Sequence, residues 1–134
     1  MQRATRQRSA ILDALATADR PLAPREILDA ASRRVRGLGM ATVYRAVKAA
    51  LADRTLTQVD IPGEPPRYEL AGKDHHHHFS CVTCGRVYEI HGCPGGLSAL
   101  APPGFEFHSH EVVLFGRCSS CVARTPGRTR RPLR

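Results

Sequence analysis

Apolar positions in the first fifty residues recur at helical spacing and then change period. Ile11, Leu12 and Leu15 share one face of a helix predicted over residues 5–18, which Asp19-Arg20-Pro21 ends. A second helix is predicted from Pro24, because proline suits a first helical turn, and it turns Ile27, Leu28, Ala31 and Val35 inward. Gly37-Leu38-Gly39 leads into a third helix, residues 41–53, whose core stripe is Val43, Val47, Ala50 and Leu51. Its other face carries Ala41, Tyr44, Arg45 and Lys48 at i, i+3, i+4 and i+7, a set chemically unlike a core.

The period then shortens to that of strands. Residues 55–61 and 67–70 read as two strands joined by Pro62-Gly63-Glu64-Pro65-Pro66. Three helices and a two-stranded wing make the winged version of the helix-turn-helix, whose last helix enters the DNA major groove. Residues 71–74 read as a hinge. Beyond it, strands are predicted at 77–82, 86–90 and 105–115, with a short helix at 96–101. The expected fold is therefore mixed α/β, of the α+β kind. A winged helix-turn-helix occupies residues 1–70, a small α/β domain residues 75–122, and a basic disordered tail residues 123–134.

The second domain concentrates metal donors. Cys81/Cys84 and Cys118/Cys121 are two Cys-x-x-Cys pairs, and two such pairs supply the four soft ligands of a closed tetrahedral Zn²⁺ site. The 33 residues between them are more than a zinc ribbon uses, so the second pair is expected to return after a small sheet. Two disulfides, or four unrelated buried cysteines, are the alternatives. No apolar signal segment opens the chain, which implies a cytoplasmic, reducing setting in which thiols bind metal. No run reaches the apolar length of a membrane span.

Charge separates the halves. Residues 1–54 carry 11 Lys and Arg against 5 Asp and Glu, whereas residues 55–121 carry 4 against 7. A basic first half beside an acidic, donor-rich second half implies separate tasks, the first suited to a phosphate backbone.

Several segments together resemble the ferric uptake regulator family. They are Thr5-Arg6-Gln7-Arg8, Ala41-Thr42-Val43-Tyr44-Arg45, Tyr68-Glu69, His75-His76-His77-His78, Cys81-Val82-Thr83-Cys84-Gly85, His110 and Gly116-Arg117-Cys118-Ser119-Ser120-Cys121. They occur in the family's order over residues 4–121. The resemblance implies a dimeric, metal-sensing transcriptional repressor with a winged helix followed by a dimerisation domain. Members sense iron, zinc, manganese, nickel or peroxide.

Tyr44 and Arg45 fall on the family's recognition-helix motif and are expected to contact DNA. A tyrosine ring can pack on a thymine methyl, and arginine can reach base edges or phosphates. Lys48 is placed for a phosphate, Arg8 matches a family arginine near the first helix, and Thr42 is expected to cap the third helix. The competing expectation for Tyr44 is a ring half-buried between helices. One winged helix gives a small interface, so a homodimer on a palindromic double-stranded operator is expected.

Alternate side chains of a strand share a face, so His76 and His78 point one way and His75 and His77 the other. The resemblance assigns the first pair, with Glu69, to a regulatory site at the hinge. It assigns His75 and His77, with His110, to a second metal site, where an acidic residue often stands at the position of His77. Many members add a histidine from the first domain to the hinge site, but every histidine here lies at or after His75, leaving Asp60 or Gln58 as candidates. His91 or Cys93 could complete the second site, although a loop residue without metal is the favoured reading of each. The regulatory ion is expected to be Zn²⁺, with Fe²⁺ or Mn²⁺ as alternatives, and metal binding is expected to promote operator binding.

Other classes fit less well. A zinc enzyme needs an open position and an adjacent acid or base, and neither His-Glu-x-x-His nor the deaminase signature occurs. A storage or chaperone module has no use for the Tyr44/Arg45/Lys48 stripe.

Overall fold

Helix α1 spans Gln2–Ala18, α2 Pro24–Ala31 and α3 Met40–Ala52. The computed structural model describes residues 2–124, in two units that part between Lys73 and Asp74. Asp19, with φ of 51°, takes the left-handed turn that ends α1. Glu26 fixes the start of α2 by accepting the Ala23 N–H at 3.0 Å, and it also pairs with Arg20 at 2.8 Å. Helix α2 stops at Ala31, short of Val35, which still packs against the core from the following turns.

Ala10, Ile11, Leu15, Leu22, Ile27, Val43 and Val47 close the core of the first unit. Each large aliphatic side chain buried there contributes about 1.5–3 kcal/mol. Strands β1 (Leu56–Val59) and β2 (Arg67–Leu70) form the antiparallel wing, with Leu56 opposite Leu70. A third strand-like contact joins this wing. Leu22 and Tyr68 exchange both backbone hydrogen bonds at 2.9 Å, which ties the α1–α2 connection to β2.

In the second unit the sheet order is β4-β3-β5, built from β3 (His77–Cys81), β4 (Val87–Ile90) and β5 (Val113–Gly116). Strand β4 pairs with β3 antiparallel and β5 pairs with it parallel. That topology corrects the strand expected over 105–115. A parallel partner on the far edge of β3 requires a crossover of a dozen or more residues, which takes up most of the chain between β4 and β5. The crossover holds a 3-10 helix, Leu97–Leu100, and Phe105 within it is 70% exposed. His110 therefore precedes β5 instead of lying on it.

Gly116 has a steric reason to be glycine. A β-carbon there would come within 2.9 Å of the Phe79 ring. Helix α4 (Ser119–Arg124) closes the described chain, so Ala123 and Arg124, expected to begin the tail, are helical. The rest of that tail lies outside the described residues.

Candidate metal centres and nucleic-acid face

The turn after β3 and the start of α4 bring the four paired cysteines together. Cys81 Sγ lies 3.8 Å from Cys121 Sγ, and Cys84 Sγ lies 3.8 Å from Cys118 Sγ. A disulfide would need ~2.05 Å. The tetrahedron defined by ~2.3 Å zinc–sulfur bonds has edges of about 3.8 Å. The donor set fits Zn²⁺ on both distance and chemistry.

The surroundings favour thiolate at Cys81 and Cys118. Cys84 and Cys118 both donate backbone N–H groups to Cys81 Sγ, at 3.4 and 3.3 Å, and Arg124 reaches Cys121 Sγ at 3.3 Å. The Cys121 backbone N–H, followed by the Tyr88 hydroxyl, holds the Cys118 thiol down at about 6. Burial, and then the neighbouring sulfurs, push Cys84 up to about 11. Without a cation the four sulfurs divide the proton load unevenly, and a divalent ion removes that conflict.

A second cluster gathers on the opposite end of β3. His75 Nε2 is 3.1 Å from His77 Nε2 and 3.3 Å from His110 Nε2. Cys93 completes the group, with its sulfur 3.0 Å from His110 Nε2, 3.3 Å from His77 Nε2 and 3.5 Å from His75 Nε2. The structure thus brings Cys93, expected as a loop residue without metal, within reach of all three histidines. The available signal was the odd fifth cysteine, placed in the loop that opens the crossover. His91 does not join, standing exposed 3.6 Å from Glu89, and His108 lies beside Glu106 at 3.5 Å. His77 is buried, and burial, followed by the His75 and His110 rings, lowers its pKa and keeps it neutral.

His76 and His78 face each other with ring centroids 4.8 Å apart. His76 Nδ1 lies 2.7 Å from the Asp74 carbonyl, which makes that nitrogen the donor of the ring. Glu69, in the first unit, is a buried carboxylate on β2 opposite Thr57. Gln58 and Asp60, the candidates for a further ligand, bond to each other at 2.8 Å.

On α3 the periodicity places Tyr44, Arg45 and Lys48 on the solvent side, with Val43 and Val47 buried behind them. Tyr44 is 54% exposed and not wedged between helices. Thr42 does not cap α3, because the helix begins at Met40 with Gly39 in the cap position. Its hydroxyl instead accepts from the Arg45 guanidinium at 3.1 Å and props that side chain against the helix. Arg8 reaches across from α1 to Asp53 at 2.9 Å.

The ferric uptake regulator family model matches residues 2–115. The zinc uptake regulation protein of Mycobacterium tuberculosis H37Rv is 32% identical over 122 residues, covering 89% of this chain and 94% of that protein. The solved structure of FurB, a zinc uptake regulator of M. tuberculosis, is 31% identical with a TM-score of 0.51, over 90% of this chain and 95% of that one. The ferric uptake regulator of Francisella tularensis with iron is 25% identical with a TM-score of 0.68, over 86% and 90% of the two chains.

Proposed function

The chain belongs to the ferric uptake regulator family, a family of metal-responsive DNA-binding transcription regulators, and we propose that it is a zinc-dependent repressor acting as a homodimer on a palindromic operator. The observation that carries this reading is the joining, in one chain, of a winged helix exposing Tyr44, Arg45 and Lys48 to a unit with two separate donor clusters. We place its action in the cytoplasm, where thiols stay reduced.

Cys81, Cys84, Cys118 and Cys121 would hold a structural Zn²⁺, a closed site with no position left for signalling. Glu69, His76 and His78 would take the regulatory ion, and His75, His77 and His110 belong to the second centre. Glu69 precedes the 71–74 connection and the two histidines follow it, so an ion shared among them restricts that connection. Bound Zn²⁺ supplies charge and coordination. The protein contributes a carboxylate and two imidazoles whose differential affinity for the DNA-competent state is the free energy available, typically about 1–3 kcal/mol.

Zinc is favoured over iron by the two imidazole donors of the regulatory site and by the M. tuberculosis relative. Iron is the second reading, favoured by the oxygen donor Glu69 and by the iron-containing F. tularensis structure. On DNA, Arg45 would read a base edge, Tyr44 a thymine methyl, and Lys48 a phosphate, with Thr42 holding Arg45 in place. Arg8 would reach a phosphate by exchanging it for Asp53.

The test is fluorescence-anisotropy binding to the DNA upstream of the protein's own gene, at fixed salt, with free zinc, iron(II) and manganese(II) buffered in turn. Tight binding that zinc switches on and chelation reverses is expected, and Arg45→Ala should weaken it by about 1–3 kcal/mol. Binding indifferent to every metal would sink the proposal, and a response to iron(II) alone would replace zinc as the effector.

A further inference from the structure

The four donor atoms of the second centre lie at the spacing of a tetrahedral zinc site. Zinc–nitrogen bonds of ~2.05 Å and a zinc–sulfur bond of ~2.3 Å define edges of about 3.3 Å between nitrogens and about 3.6 Å from nitrogen to sulfur. His75 Nε2 stands 3.1 Å from His77 Nε2 and 3.3 Å from His110 Nε2, and Cys93 Sγ stands 3.0–3.5 Å from all three nitrogens. The set closes around one ion, with Cys93 as its fourth corner.

Charge distinguishes Cys93 from its three partners. They are imidazoles, neutral as ligands, and no carboxylate joins the group among the described residues, so the Cys93 thiolate carries the only ligand charge of this centre. Its sulfur belongs to an exposed residue at the opening of the crossover, whereas Cys81, Cys118 and Cys121 are buried. Cys84 is exposed as well, but it shares its ion with those three thiolates. Loss of charge at Cys84 leaves three anionic donors in place. The same loss at Cys93 leaves none.

We propose that Cys93 is both a zinc ligand of the second centre and its oxidisable donor, so that hydrogen peroxide empties this centre. The inference rests on the reading of this cluster as a metal centre. A metal-bound cysteine is a thiolate, the nucleophilic form, and here it stands at the surface. The sulfur attacks one peroxide oxygen. An S–O bond forms as the O–O bond breaks, and hydroxide leaves and is protonated by solvent. Sulfur gives up two electrons, peroxide takes them, and the product is a neutral sulfenic acid. Three imidazoles without an anion then hold Zn²⁺ more weakly. Pro94 follows, and its nitrogen carries no hydrogen, so the sulfenic acid cannot close onto the next backbone nitrogen as a sulfenamide. An external thiol condenses with it instead, releasing water, and exchange with a second thiol returns Cys93 to the ligand form.

Cobalt(II) tests the ligand and peroxide the oxidation, both on the full chain with the four-cysteine site already filled with zinc. Added cobalt should give a thiolate-to-cobalt charge-transfer band in the near ultraviolet, and Cys93→Ser should lose it. Glu69, His76 and His78 contain no sulfur and cannot supply that band. Its absence, or its persistence undiminished in Cys93→Ser, would overturn the ligand assignment.

With zinc in the second centre, hydrogen peroxide and dimedone together should label Cys93 ahead of Cys84, read by peptide mass mapping. Zinc should pass to a chromogenic chelator in step with that label. Cys93→Asp keeps an anionic donor but has no oxidisable atom, and its zinc should survive the same exposure. Label arriving first on Cys84, zinc retained by protein labelled at Cys93, or equal zinc loss from Cys93→Asp would refute the oxidation step. No DNA enters either arm, so a failure here is separate from a failure of zinc-dependent operator binding.

Discussion

Asp53, just beyond α3, shows how one side chain couples local stability to Arg8, a residue proposed to contact DNA. The Thr55 hydroxyl and then the Arg8 guanidinium hold its carboxyl down at about 2, from an ordinary value of 3.8. A depressed folded-state pKa means stabilisation that is present above the unfolded value and lost as pH falls toward about 2. The ion pair is exposed on both sides, so the effect serves to place Arg8 more than to hold the fold together. Thr55→Ala should raise the Asp53 titration midpoint more than Arg8→Ala does, read from the side-chain carboxyl carbon by NMR. A larger shift from Arg8→Ala would mean that the ion pair, and not the hydroxyl, sets it. The exposure of Arg45 was legible in the sequence, as a basic residue opposite Val43 and Val47, whereas that of Tyr44, at 54%, was decided only by the structure, because an amphipathic ring can also pack between helices. The role of Thr42 was not legible, since one residue of uncertainty in a helix start moves a side chain from the cap to the first turn.

Strand β3 is the element on which the second unit depends, because its two ends feed two different donor clusters. Alternation at period two separated His75 and His77 from His76 and His78 on sequence alone, and the Cys-x-x-Cys spacing gathered the four sulfurs. Cys93 and the length of β5 escaped for a shared reason. Both depend on the crossover between β4 and β5, whose path is set by parallel pairing and leaves no local periodicity to read. The bridge between Leu22 and Tyr68 was missed likewise, being a single pair of residues distant in sequence. Two tests belong here. Gly116→Ala should destabilise the second unit by about 1–3 kcal/mol through overpacking against Phe79, measured by denaturant unfolding with zinc present. Stripping zinc with a strong chelator, or Cys118→Ser, should collapse the amide dispersion of the β3–β5 region while the α1–α3 amides stay folded, because the first unit has its own core. Loss of both sets in one transition would show that the metal also stabilises the first unit.

For the molecule as a regulator, the quantity that matters is the free energy shared between ion and operator. Residues 1–54, with 11 Lys and Arg against 5 Asp and Glu, already attract any duplex, so metal adds discrimination to a binding surface that exists without it. Linkage then requires reciprocity. If zinc raises operator affinity tenfold, about 1.4 kcal/mol, operator must raise zinc affinity tenfold as well. The gain should appear in zinc competition against a fluorescent chelator when operator duplex is added, and not with a scrambled duplex at the same salt. It should vanish in Glu69→Ala if that carboxylate serves the regulatory ion. Zinc affinity unchanged by operator, in a protein that still binds operator tightly, would leave the metal as a structural part and the repressor without its switch.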